Sequence, residues 1–99
     1  MPFRDAADLQ QHFEDHVAEF PGVTLVQTYL LLAERFLNGP RGPNTEECFR
    51  PQGGRARYDK VTQEYGAVRA DGTIATYFRP DPAIHGLPSN ADYFRVHCN

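Results

Sequence analysis

The apolar residues of this chain change period once, and that change limits what it can fold into. Up to residue 40 they recur at helical spacing: Leu9, Phe13, Val17 and Phe20, then Leu25, Tyr29, Leu32, Ala33 and Phe36. From residue 47 they alternate, as in TIATYFR at 73–79. Two amphipathic helices followed by an antiparallel meander is the order this pattern predicts. The expected fold class is α+β: two N-terminal helices packed on one face of an antiparallel sheet of about four strands, with a short C-terminal helical turn. No repeat or linker breaks the pattern, so residues 1–99 read as one domain.

Local signals set the boundaries. Asp5 is placed to cap a first helix that runs to the Phe20-Pro21-Gly22 stop, and Thr24 to cap a second that ends at Asn38-Gly39-Pro40. Leu30, Leu31 and Leu37 widen the second helix's stripe, as expected of a helix buried against a sheet. Strands follow at 47–50, 55–59, 64–70 and 73–79, and Asn90 is placed to cap the last turn. The three-proline segment at 80–90 reads as a loop.

Asp71-Gly72 is the dipeptide of a two-residue type I′ hairpin. It would set Val68 opposite Ala75, Ala67 opposite Thr76, Gly66 opposite Tyr77, Tyr65 opposite Phe78 and Glu64 opposite Arg79. One sheet face would then carry Tyr65, Ala67, Arg69, Ile74, Thr76 and Phe78, the bulkier set and the expected core face. The other would carry Glu64, Gly66, Val68, Ala75, Tyr77 and Arg79, flat in the middle and able to receive a nucleotide.

Seven Phe, five Tyr and 40% apolar residues are enough for a packed core. No apolar run approaches the length of a membrane span, and the N-terminus has no signal-peptide core. Cys48 and Cys98 have neither CxxC nor metal-ligand spacing; two unpaired thiols are expected, in preference to a bridge that would need an oxidising compartment. The net charge of −3 is unevenly spread. Residues 1–40 set Arg4 and Arg35 against Asp5, Asp8, Glu14, Asp15, Glu19 and Glu34. The middle of the chain is mildly basic, and nine of the ten basic residues are arginine, which suits bidentate phosphate contacts.

Four groups of residues could carry chemistry. His12 and His16 share a face of the first helix at the border of its apolar stripe. They are border histidines satisfied by packing, a general acid/base position, or a metal pair in need of a third ligand. Arg55 and Arg57 alternate on one strand, as a solvated edge or as two cations aimed at a phosphate. Thr76, Tyr77 and Arg79 end the last strand. His85 follows in a proline-stiffened loop before Gly86. Histidines, arginines, a threonine and a tyrosine meet the needs of RNA cleavage through the 2′-hydroxyl. That reaction takes a base, an acid and groups that steady a charged phosphorane, without metal or other cofactor.

The ordered set HFEDHVAEF, YLLLAERFLNGP, RYDKVTQEYGAV and DGTIATYFRPDPAIHGLPSNADYF covers nearly the whole chain. It resembles the C-terminal toxin domains of bacterial polymorphic toxins, of the Rhs and contact-dependent inhibition types. Their ribonuclease fold is similar to the barnase–EndoU–colicin–RelE class. The resemblance implies an endoribonuclease toxin of interbacterial competition, acting on RNA such as tRNA and leaving a 2′,3′-cyclic phosphate. It implies a cognate immunity protein as partner, and delivery into a target cell's cytoplasm by a carrier. It implies that His12, and with it His16, faces the site, with Arg57, Thr76, Arg79 and His85 as further members. Together with the strand positions of Arg55 and Tyr77, the expected assignment is catalytic roles for His12, His85, Thr76 and Arg79, and substrate contacts from His16, Arg55, Arg57 and Tyr77. The chain departs from the family pattern at Asp15, Val17 and Arg79, where that pattern has lysine, glycine and lysine. The rival readings are a non-catalytic binding module of the same fold and a metal-dependent nuclease using His12 and His16.

Overall fold

The structure is a computed structural model that describes residues 3–98. Helix α1 spans Ala6–His16 and runs into a 3-10 turn at Val17–Glu19; α2 spans Val26–Asn38. Strands β1 (Thr45–Phe49), β2 (Arg55–Asp59), β3 (Tyr65–Val68) and β4 (Ile74–Phe78) follow. A single turn, α3 (Pro82–His85), and a two-turn helix, α4 (Asn90–His97), complete the chain. The four strands form one antiparallel meander in chain order, as the change of period predicted.

Asp5 caps α1 by accepting from the Asp8 amide at 2.7 Å. Thr24 does not cap α2: the helix begins at Val26, one residue later than that assignment requires, with Leu25 at the cap position and no side-chain cap. Asn90 likewise lies inside α4, and Ser89 is the cap, its hydroxyl accepting from the Asp92 amide. The segment read as a plain loop contains α3. Asp81 caps it, Pro82 opens it and left-handed Gly86 closes it.

The hairpin at Asp71-Gly72 departs from expectation in an instructive way. The pairs Tyr65–Phe78, Gly66–Tyr77 and Ala67–Thr76 are as predicted, but Val68 faces Ile74 instead of Ala75. The turn holds three residues: Arg69 donates to the Thr73 carbonyl at 2.8 Å, and Gly72 sits at φ 88°. Asp71 closes it, accepting from the Thr73 amide and hydroxyl. A bulge beside Val68 absorbs the offset and restores the register beyond it.

The bulge moves Ile74 to the side of Val68 and Tyr77, and the helices cover that side. Buried Phe3, Phe20, Tyr29, Ala33, Leu37, Val68, Ile74 and Tyr77 form one core. The flat face expected to receive a ligand is therefore the one that receives α2. Its flatness is what the packing uses: a Cβ on Gly66 would stand 2.9 Å from Leu37 Cδ2. The bulkier face carries a second core of Ala56, Tyr58, Tyr65 and Ala67, closed by Phe94 of α4. Both faces of the sheet are thus covered.

Cys48 and Cys98 are joined, contrary to the expectation of two free thiols, with Cα atoms 6.0 Å apart. Their sequence distance hid a spatial neighbourhood, because α4 folds back across the sheet to end beside β1. The bridge closes a loop of 50 residues. Reduction should lower stability by about 2–4 kcal/mol, the usual range for a disulfide closing a long loop. Urea unfolding with and without reductant measures it as a lower midpoint.

Candidate functional site

The end of β4 sends Arg79 toward the junction of α1 and its 3-10 turn. Arg79 donates its backbone N–H to Glu19 Oε1 at 2.7 Å and a guanidinium N–H to the Glu19 carbonyl at 3.0 Å. Its guanidinium lies 5.0 Å from the centre of the Phe20 ring. Glu19 turns its other oxygen to His16, 2.8 Å from Nδ1. The His16 ring stacks 4.9 Å from Phe78. The chain then passes through Asp81 and α3 to Tyr93 on α4. His16, Glu19, Phe78, Arg79, Asp81, Ile84, His85 and Tyr93 enclose a cavity of about 270 Å³.

Two of the four histidines therefore share a cavity, and they are not the pair that stood four apart in the sequence. His85 is held at both ring nitrogens. The Leu87 amide donates to Nδ1 at 3.1 Å, so Nδ1 is the bare nitrogen and Nε2–H donates to Asn90 Oδ1 at 3.0 Å. Buried Asn90 is fixed in turn, donating to Gln63 Oε1 and the Pro80 carbonyl. His97 stacks 4.0 Å from the Tyr93 ring, with Nδ1 on the Tyr93 carbonyl. Burial raises Tyr93 above the ordinary phenol value despite Arg50 nearby, so its hydroxyl stays neutral and able to donate.

His12 does not line this cavity. It packs 5.2 Å from Phe3 and 6.0 Å from His16, with Nε2 3.5 Å from an Asp8 oxygen. Its Nδ1 is buried without a partner. Burial lowers its pKa below the usual imidazole range, outweighing the Asp8 carboxylate, which pulls the other way.

The remaining sequence candidates are placed elsewhere. Tyr77 is fully buried under the helices, its hydroxyl on the Glu64 carboxylate. Arg55 donates to the Leu37 carbonyl and to Asn38. Arg57 donates to Glu47 at 2.7 Å and to the Phe36 and Gly39 carbonyls at 2.9 and 2.8 Å. Both arginines thus satisfy the open C-terminal end of α2, where cations are favoured. Thr76 is half-buried beside Ala67, on the face covered by α4. A wider cleft of about 480 Å³, bordered by Arg35, Pro40, Thr45 and Glu64, contains none of the histidines.

Five of the lining residues, Glu19, Phe78, Asp81, Ile84 and Tyr93, had no site role in the sequence reading. Glu19 carried a signal, standing three residues after His16 at a helix end. Phe78 and Tyr93 lay within the toxin-domain segment, as aromatics with no chemical role assigned. Among the described residues, no three His, Cys, Asp or Glu side chains gather as a metal site.

Two outcomes are expected. Arg57→Ala should cost about 3–5 kcal/mol of stability, because it strands the partly buried Glu47 carboxylate and two helix-end carbonyls; thermal or urea unfolding reads this. For His12, the unfolded chain takes up a proton at a higher pH than the folded one. Its contribution is therefore present above about pH 6.5 and is lost as the pH falls toward the lower folded value. Urea midpoints between pH 7.5 and 5 should fall less steeply in His12→Gln than in the unaltered protein.

No family model and no curated protein sequence matches the chain. In fold it is similar to a solved ribonuclease from Escherichia coli, complexed with its inhibitor protein: TM-score 0.56, 11% identity, 90% of this chain and 93% of that one covered.

Proposed function

We propose that this protein is a small, metal-independent endoribonuclease of the toxin type, cleaving RNA through its 2′-hydroxyl to leave a 2′,3′-cyclic phosphate. The observation that carries the reading is the meeting of His16, His85 and Arg79 around one cavity. Two imidazoles suit the two proton transfers of this reaction, and the guanidinium suits the charged phosphorane. The neutral Tyr93 hydroxyl supplies a further donor. His85, once Nδ1 exchanges the Leu87 amide for a proton, hands that proton to the leaving 5′ oxygen.

The likeness to a ribonuclease solved with its inhibitor supports the same class and a cognate immunity protein as partner. Carrier-borne delivery into a competitor's cytoplasm, with tRNA among the substrates, belongs to this reading through the toxin-domain resemblance. His12 has no role in it, since it lies outside the cavity. Arg55, Arg57 and Tyr77 have none because backbone and side-chain partners occupy them, and Thr76 is left without one. A metal pair at His12 and His16 gains no support, because the two rings face different carboxylates, Asp8 and Glu19.

The purified protein, given total RNA and tRNA, should cut with or without EDTA and leave cyclic phosphate ends. Cleavage abolished by EDTA would favour the metal reading. Intact RNA, with no growth arrest on expression without a protective partner, would leave a binding module.

A further inference from the structure

We infer that His16, through Nε2, is the general base of this site, and that Glu19 is a positioning residue that fixes the His16 tautomer. The inference rests on the ribonuclease reading and assigns a role that His16's place on the helix does not by itself give.

The Glu19 carboxylate can only accept, so the hydrogen in its 2.8 Å bond to His16 belongs to Nδ1. In neutral His16 the lone pair therefore lies on Nε2, in a ring that lines the cavity. Glu19 is itself clamped. Its other carboxylate oxygen takes the Arg79 amide and its backbone carbonyl takes the Arg79 guanidinium, so the carboxylate is tied to the end of β4. Stacking on Phe78 fixes the plane of the imidazole. A base oriented by a clamped carboxylate is a recurring arrangement for drawing a proton from a hydroxyl.

The other described histidines lack one or more of these features. His12 stands outside the cavity with Nδ1 unpartnered. His85 has both nitrogens engaged. His97 bonds its own helix.

In the step, Nε2 takes the 2′-hydroxyl proton as the 2′ oxygen forms its bond to phosphorus. The bond from phosphorus to the 5′ oxygen breaks, and that oxygen leaves with the proton from His85. His16 then returns its proton to solvent, and His85 takes one up from it.

Glu19→Gln tests the assignment. The amide keeps an oxygen for the Arg79 N–H but sets an NH₂ opposite His16 Nδ1, which forces the ring hydrogen to Nε2. The expected result is a kcat lower by on the order of 100-fold or more, with KM changed less than about threefold and an unchanged fold by circular dichroism. His16→Ala should lose activity similarly and regain part of it with added imidazole. Nitrogen-15 spectra of the unaltered protein at neutral pH should show His16 protonated at Nδ1, and those of Glu19→Gln at Nε2. Unaltered kcat in Glu19→Gln, or an Nε2–H tautomer in the unaltered protein, would overturn the inference. An unaltered protein that leaves RNA intact overturns the ribonuclease reading instead, and the spectra still decide the tautomer.

Discussion

The inward turn of Tyr77 organises the molecule. Its ring is met by Phe20, Tyr29 and Phe36, with centroids 5.0–5.7 Å away. Its hydroxyl reaches Glu64, and its carbonyl accepts from the Tyr29 hydroxyl at 2.5 Å. One strand residue thus joins α2 and the segment that follows α1 to the sheet. Burial lifts the phenols of Tyr29 and Tyr77 far above their ordinary value, so both remain neutral donors. Once Tyr77 faces the helices, alternation sends Phe78 to the other side, where Tyr65 and Tyr93 meet it edge-on. Phe20, stacked on Tyr77, sets Glu19 beside Arg79. The site is thus a consequence of the packing.

The arginine-rich middle of the chain takes its meaning from the same architecture. Arginine has five donors in a rigid fork, which suits phosphate and equally suits a row of backbone carbonyls. Arg55 and Arg57 spend theirs on the end of α2, and Arg69 on Thr73 and the Ile74 carbonyl. Leu37 lies against Gly66 in the same region, so the helix end is both packed and hydrogen-bonded there. Three of the arginines that looked like part of a basic surface for a polyanion are thus engaged in internal bonding. Arg79 differs: it borders the cavity, and its buried Nε has no partner.

The fold was legible because period and punctuation are local. Helix stripes, the Asp5 cap, the Gly39 stop and the meander all follow from residues within a few positions of each other. The sheet's orientation was not. Comparing the bulk of the two faces set the two N-terminal helices on the wrong one, although that face carries a core of its own, because a flat centre at Gly66 is an invitation to a helix as much as to a ligand. The Asp-Gly rule gave the far pairs correctly and missed the compensating bulge, since a three-residue turn and a bulge cancel beyond Val68. The bridge could not be read because α4's return path is a tertiary fact. For the site, His85, Arg79 and His16 were all singled out, but which histidine leaves the helix border for the cavity depends on where α1 ends. His16 is the last residue of α1, next to Phe78; His12, one turn earlier, meets Phe3 instead.

The cavity sits where the sheet runs out of strands. β4 is an edge, and an edge exposes amides that invite another chain. At one end Phe3 bridges to Ile74 and occupies it. Just past the other end the exposed amide belongs to Arg79, and Glu19 takes it with one carboxylate oxygen while holding His16 with the other. The residue that quiets the edge is thus the one that orients the imidazole. The opposite wall, Tyr93 and the Asn90–His85 pair, rides on α4, whose far end is fastened to β1 through Cys98. Both walls of the cavity therefore depend on contacts that first stabilise the sheet.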